Sequence, residues 1–124
     1  MCKTILVVED QPDISELFTA IFSDSAYEIF YAKDGEEALS MAADRRPDLI
    51  LLDVRLPKLN GFEVCRSIKK NPALLQTRII LLSSQMQQYD FQEARNVKAD
   101  GFMAKPFKPI ELMKRVDELL GGKA

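Results

Sequence analysis

Strand-length apolar segments alternate along this chain with longer amphipathic stretches, and that alternation restricts the possible folds more than any other feature. Thr4–Val8 is almost continuously apolar, as a strand covered on both faces should be. Pro12 then sits where a first helical turn tolerates proline, and Ile14, Leu17, Phe18 and Ile21 make an apolar stripe to about Ser23. Tyr27–Ala32 alternates and is rich in aromatics, which predicts a second strand. Asp34-Gly35-Glu36-Glu37 opens a helix carrying Ala38, Leu39 and Ala42, and Arg45-Arg46-Pro47 ends it. Asp48–Val54 is the most hydrophobic strand and is expected at the centre of the sheet. A loop from Pro57 to Gly61 leads to a third helix through Phe62, Cys65 and Ile68, with a basic end at Lys69-Lys70 and a stop before Pro72. Arg78–Leu82 predicts a fourth strand, and Met86–Val97 a weaker helix, polar on most faces. Asp100–Ala104 predicts a short fifth strand, followed by a helix from Pro109 through Leu112, Met113, Val116, Leu119 and Leu120 that Gly121-Gly122 ends.

Five strand-helix units with crossover helices imply a parallel sheet covered on both faces. In such sheets the functional residues belong at the carboxyl ends of the strands, around the point where strand order reverses. That rule selects Glu9-Asp10 after the first strand, Asp53 at the end of the third, Ser83 after the fourth and Lys105 after the fifth. Singly, each of these residue types is most often a solvated turn or loop residue. Together they are three carboxylates, one hydroxyl and one ammonium carried by four strand ends.

The chemistry of that set is specific. Crowded carboxylates repel one another, and a divalent cation relieves the strain. Oxygen donors suit Mg²⁺, which takes few carboxylates, keeps several waters and accepts a phosphate oxygen. Asp53 can then attack a phosphoryl group to give an acyl phosphate, with Mg²⁺ and the Lys105 ammonium neutralising the equatorial oxygens. The Ser83 hydroxyl would donate to a phosphoryl oxygen on arrival.

Composition removes the competing chemistries. The chain contains no His, which excludes Ser-His and Cys-His nucleophilic catalysis. Its two cysteines, Cys2 and Cys65, lie in no metal-ligand spacing and read as reduced thiols. A net charge of −2 favours neither nucleic acid nor an anionic membrane as a direct partner. Apolar runs such as Leu49–Leu52 are far too short to span a bilayer, and Met1–Glu9 does not read as a signal peptide, so a cytoplasmic location is expected. At 124 residues the chain is the size of one domain, expected over 1–124, without linker, repeat or low-complexity segment. No helix-turn-helix or catalytic output segment follows Leu120, so it reads as a stand-alone regulator or a piece of a longer one.

The segments Val8-Glu9-Asp10, Leu52-Asp53-Val54-Arg55-Leu56-Pro57, Gly61, Leu82-Ser83-Ser84 and Phe102-Met103-Ala104-Lys105-Pro106-Phe107 resemble the receiver domains of two-component response regulators, over essentially the whole chain. The spacings from Asp53 to Ser83 and from Ser83 to Lys105 also fit that family. The resemblance implies a doubly wound, flavodoxin-like (βα)5 fold with strand order 2-1-3-4-5. It implies Asp53 as phosphoacceptor, with Mg²⁺ held by Glu9, Asp10, Asp53 and the backbone carbonyl of Arg55. Ser83 and Phe102 take the switch positions, and the Lys105–Pro106 bond resembles the family's cis peptide. The implied partners are a sensor histidine kinase or phosphotransfer protein and a downstream output protein or domain, reached through the surface of the fourth helix, fifth strand and fifth helix. The activity so implied is the chain's own phosphotransfer and autodephosphorylation, not enzymatic turnover of a separate substrate.

Four positions depart from the common pattern. Glu9 replaces the more frequent Asp, and Asn60 stands where Asp is usual before Gly61. Lys98 occupies a site where many members carry Gly, at a steric cost if φ there is positive. Phe102 lacks the hydroxyl that a Tyr would offer. Two other readings define the alternatives. A degenerate receiver would act as a phosphorylation-independent interaction module, yet all five site positions keep usable chemistry. A small phosphatase with an aspartyl nucleophile typically wants a second Asp two residues on, and position 55 is Arg.

Overall fold

The computed structural model describes residues 3–56, 58–84 and 88–121, with side chains at all of these except positions 88 and 89. Met1, Cys2, Pro57, Met86 and Gly122, named above, lie outside the described residues. The elements run β1 Thr4–Val8, α1 Pro12–Phe22, β2 Glu28–Ala32, α2 Gly35–Arg45, β3 Leu49–Asp53, α3 Gly61–Lys70, a single 3-10 turn Pro72–Leu74, β4 Arg78–Ser83, α4 Gln88–Asn96, β5 Gly101–Ala104 and α5 Pro109–Leu120. All four strand pairings are parallel, in the order β2-β1-β3-β4-β5. This is the flavodoxin-like order expected from the sequence.

Alternate residues of the central strands feed two cores. Leu6, Val8, Ile50, Leu52 and Leu81 pack with Ala38 and Ala42 of α2, Val64, Cys65 and Ile68 of α3, and Ala94 of α4. Ile5, Val7, Leu49, Leu51, Ile80 and Leu82 pack with Phe18 and Phe22 of α1 and Leu112 and Val116 of α5. The period of two in a strand makes this division, and each fully buried Leu or Ile contributes about 1.5–3 kcal/mol. β3 is buried along its whole length, whereas the edge strands β2 and β5 are only partly covered.

Local chemistry sets the ends. Pro12 and Pro109 begin their helices. Asp34 caps α2, and Asn60 and Glu63 form a reciprocal capping box on α3. α4 closes with Lys98 N–H bonded to Arg95 O at 3.0 Å and Ala99 N–H to Ala94 O at 3.1 Å, a Schellman closure that places Lys98 at φ 64°. The positive φ at Lys98 that the sequence left conditional is therefore present.

Three strand starts fall one residue later than expected, while β3 stops at Asp53 rather than Val54 and β4 runs on to Ser83 rather than Leu82. Asp48 precedes β3, and its carboxylate accepts the Thr4 N–H at 2.8 Å. Asp100 likewise precedes β5 and accepts from Ile79 N at 2.8 Å and Lys69 Nζ at 2.7 Å. Tyr27 precedes β2, with its N–H on Ser25 Oγ at 3.2 Å and its hydroxyl on Asp117. The turn at Pro72–Leu74 was not foreseen; Asn71 caps it through Ala73 N–H, and Leu74 is buried. No helix among the described residues is long and apolar enough to cross a membrane.

Candidate functional site

The carboxyl ends of β1, β3, β4 and β5 lie side by side, and backbone bonds continue the ladder one residue past three of them. Glu9 N–H bonds to Ala32 O at 2.9 Å, Val54 N–H to Leu82 O at 2.9 Å and Lys105 N–H to Ser83 O at 2.8 Å. These bonds fix where the side chains of Glu9, Asp53 and Lys105 begin. The Lys105 ammonium donates to Asp53 Oδ2 at 2.7 Å and lies 3.6 Å from Glu9 Oε1. The other Asp53 oxygen, Oδ1, accepts from Arg55 N–H at 3.0 Å, and Glu9 Oε2 accepts from Gln11 N–H at 3.3 Å. Glu9 and Asp53 are only 5% and 7% exposed, so these charges act on one another with little screening. The Lys105–Pro106 peptide is cis.

Burial pushes the Glu9 carboxyl above its ordinary value; Lys105 opposes this, and the charges of Asp53 and Asp10 reinforce it. Burial alone would lower the Lys105 ammonium, but its hydrogen bond to Asp53, the Asp53 charge and Glu9 behind it leave it above the ordinary lysine value. The crowding of carboxylates expected from the sequence is thus felt at Glu9. The Lys105 ammonium partly relieves it.

Asp10 is exposed and lines a cleft of about 550 Å³ beside Asp53, together with Val54, Arg55, Leu56, Asn60, Phe62 and Asp90. Among the described residues no three acidic side chains close into a ready-made metal cluster. The donors here are all oxygen: the Glu9, Asp10 and Asp53 carboxylates and the Arg55 carbonyl, next to a cleft with room for waters. That set fits Mg²⁺, which holds few protein ligands and keeps water, better than a softer metal that wants nitrogen or sulfur.

The remaining expected residues take distinct places. Ser83 is fully buried at the end of β4, beside Ala104 in the register. Phe102 stands back from the cluster, edge-on to Phe91 of α4 with ring centroids 5.2 Å apart. Gly61, which the sequence offered without a reason, runs against the end of β3: a Cβ there would lie 2.5 Å from Asp53 O. Asp90, 8% exposed at the start of α4, is a cleft residue that sequence reasoning passed over. Nothing in its local pattern distinguished it from the polar positions around it.

A profile of the response regulator receiver domain matches residues 5–117. Over 120 residues the chain is 40% identical to the alkaline phosphatase synthesis transcriptional regulatory protein PhoP of Bacillus subtilis, covering 97% of this chain and 49% of that protein. It is 35% identical over 118 residues to the phosphate regulon transcriptional regulatory protein PhoB of Pseudomonas aeruginosa, covering 95% and 52%. Among solved structures, the chemotaxis protein CheY4 of Vibrio cholerae matches with a TM-score of 0.90 at 32% identity, covering 97% of this chain and 100% of that one. A putative response regulator from Chloroflexus aurantiacus matches with a TM-score of 0.91 at 30% identity, covering 98% and 100%. The chain spans about half the length of the curated relatives it matches.

Proposed function

The chain belongs to the response regulator receiver domain family, and from that membership we propose that it is a Mg²⁺-dependent aspartyl-phosphate switch with Asp53 as acceptor. The observation that carries the reading is the Lys105 ammonium 2.7 Å from Asp53 Oδ2, with buried Glu9 at their side. A carboxylate oxygen of Asp53 forms the new P–O bond as the P–N bond of a phosphohistidine donor breaks. The imidazole nitrogen leaves with the electron pair and takes up a proton. Lys105, already hydrogen-bonded at the acceptor, balances charge on the transferring group. Glu9, Asp10, Asp53 and the Arg55 carbonyl would hold Mg²⁺, which when bound supplies charge neutralisation at the phosphoryl oxygens.

The donor is a sensor histidine kinase or phosphotransfer protein, and residues 1–124 act as one receiver unit. Only the phosphorylated state gives Ser83 a phosphoryl oxygen to bond, and this differential contact biases the α4–β5–α5 surface, where Phe91 and Phe102 meet. A downstream output protein or domain reads that surface. The unit works in the cytoplasm, touches neither nucleic acid nor membrane directly, and turns over no substrate but its own phosphoryl group. The test is phosphorylation by acetyl phosphate with Mg²⁺, with chelator, and in Asp10→Asn. Labelling should need Mg²⁺ and weaken in the variant; equal labelling in all three would defeat the reading.

A further inference from the structure

The segment between Asp53 and α3 carries the Arg55 carbonyl, and part of it rests on the start of α2, an element the reading above leaves without a role. Lys58 in this segment holds φ 71°, a region that side chains with a Cβ rarely adopt. Its ammonium lies 3.6 Å from Asp34 Oδ2 and 3.4 Å from Glu36 Oε1. Asp34 is itself fixed, because its other oxygen caps α2 by accepting Glu37 N–H at 2.8 Å. That bond, more than the nearby Lys58, holds the Asp34 carboxyl below its ordinary value, so it is charged when Lys58 meets it. The next residue, Leu59, presses on Gly35, where a Cβ would stand 2.8 Å from Leu59 Cβ and 3.0 Å from Leu59 O.

The segment is also tied at both ends. Arg55 N–H reaches Asp53 Oδ1 at 3.0 Å, and Gly61 N–H reaches Val54 O at 2.8 Å after the Asn60–Glu63 capping box. Lys58 is 57% exposed and Glu36 65% exposed, so this ion pair adds little to overall stability. Its effect is on placement. Mg²⁺ demands near-ideal octahedral geometry, and a ligand that wanders lowers its affinity.

We propose that Lys58 is a positioning residue for the divalent-cation site, clamping the β3–α3 loop to the N-terminus of α2 so that the backbone bearing the Arg55 carbonyl stays set against the acceptor strand. This rests on the cation-binding reading above.

The experiment is a Mg²⁺ titration of the full chain followed by amide NMR shifts at low salt, with unfolding midpoints measured in parallel. Lys58→Gln should weaken Mg²⁺ about three- to ten-fold, at or below the bottom of the roughly 10–100-fold that outer-shell partners contribute, at a nearly unchanged midpoint. Lys58→Arg should restore binding. Lys58→Gly tolerates the positive φ without penalty, yet should weaken Mg²⁺ as much as Lys58→Gln does. Glu36→Gln should show part of the same loss and add nothing on top of Lys58→Gln. Wild-type affinity in Lys58→Gln or in Lys58→Gly would overturn the clamp. A wild-type chain with no saturable shifts at Glu9, Asp10 and Asp53 would overturn the cation reading, and the clamp with it.

Discussion

Replacing Gly61 with Ala tests how tightly α3 is set against the end of β3, because two effects of opposite sign compete there. The backbone at Gly61 is outside the left-handed region, so Ala would ordinarily stabilise by about 0.4–1 kcal/mol through the unfolded chain. The added Cβ, however, would sit 2.5 Å from Asp53 O and 2.8 Å from Val54 Cα. Both are backbone atoms, so no side chain can swing aside. Relief needs a shift of most of an ångström between α3 and the end of β3, and neither is loose. Gly61 N–H is bonded to Val54 O at 2.8 Å, and Val54 N–H to Leu82 O at 2.9 Å. Overpacking typically costs about 1–3 kcal/mol, and after the opposing gain the net expectation is a loss of about 1–2 kcal/mol. With a urea dependence of about 1–3 kcal/mol per molar, the midpoint should fall by about 1 M. Far-UV circular dichroism is the suitable probe, since the chain contains no Trp. Gly101→Ala is the control: its Cβ would meet side-chain rather than backbone atoms, Arg115 Nε and Ile80 Cγ1, each at 3.3 Å, and should cost less. A Gly61→Ala protein that unfolds at higher urea than wild type would refute the reasoning. If stability falls while phosphorylation is unchanged, α3 has yielded rather than the acceptor strand.

Three further outcomes follow from the same geometry. Ionised Glu9 is disfavoured by burial, so its folded pKa lies above the unfolded 4.5 and its ionisation erodes stability as pH rises from 4.5 through the folded value; Glu9→Gln should therefore raise the melting temperature of chelator-treated protein at pH 7, with the gain fading below pH 4.5. Lys98→Gly relieves a Cβ-bearing residue at φ 64° and should stabilise by about 0.5–1 kcal/mol in urea unfolding; a destabilised variant would mean that the lysine side chain makes a compensating contact. Arg55 lines the cleft beside the acceptor, so Arg55→Ala should speed phosphate release several-fold while leaving Mg²⁺ affinity nearly unchanged, because position 55 offers the cation only its carbonyl; an equal or slower release time course would remove Arg55 from shielding the acyl phosphate.

The strands were legible in the sequence from periodicity and the candidate site positions from where those strands end, while the strand order came from the family resemblance. Buried strands read as apolar runs, and the rule that chemistry gathers at carboxyl ends brought Glu9, Asp53 and Lys105 together before any contact was known. Other features depend on contacts between distant residues, which no local pattern records. Asp48 and Asp100 read as the first residues of strands, but each lies one residue before its strand, where its carboxylate accepts a bond from Thr4 N–H or from Ile79 N–H. Asp34 was legible as part of a helix start, but its pairing with Lys58 depends on how the β3–α3 loop folds back. Asp90 looks like any polar residue of a weakly amphipathic helix, and only tertiary packing places it in the cleft with Asp10, Val54 and Arg55. The reason for Gly61 likewise appears only where α3 meets β3.

The central claim is that Asp53 is the nucleophile, and the intact mass of wild type and Asp53→Asn after incubation with acetyl phosphate and Mg²⁺ tests it most directly. Asn keeps the shape of the side chain and loses the carboxylate. The wild type should gain the mass of one phosphoryl group and lose it again on standing, and Asp53→Asn should gain none. A phosphoryl group carried by Asp53→Asn at the wild-type level would contradict the account, because another side chain would then be the acceptor.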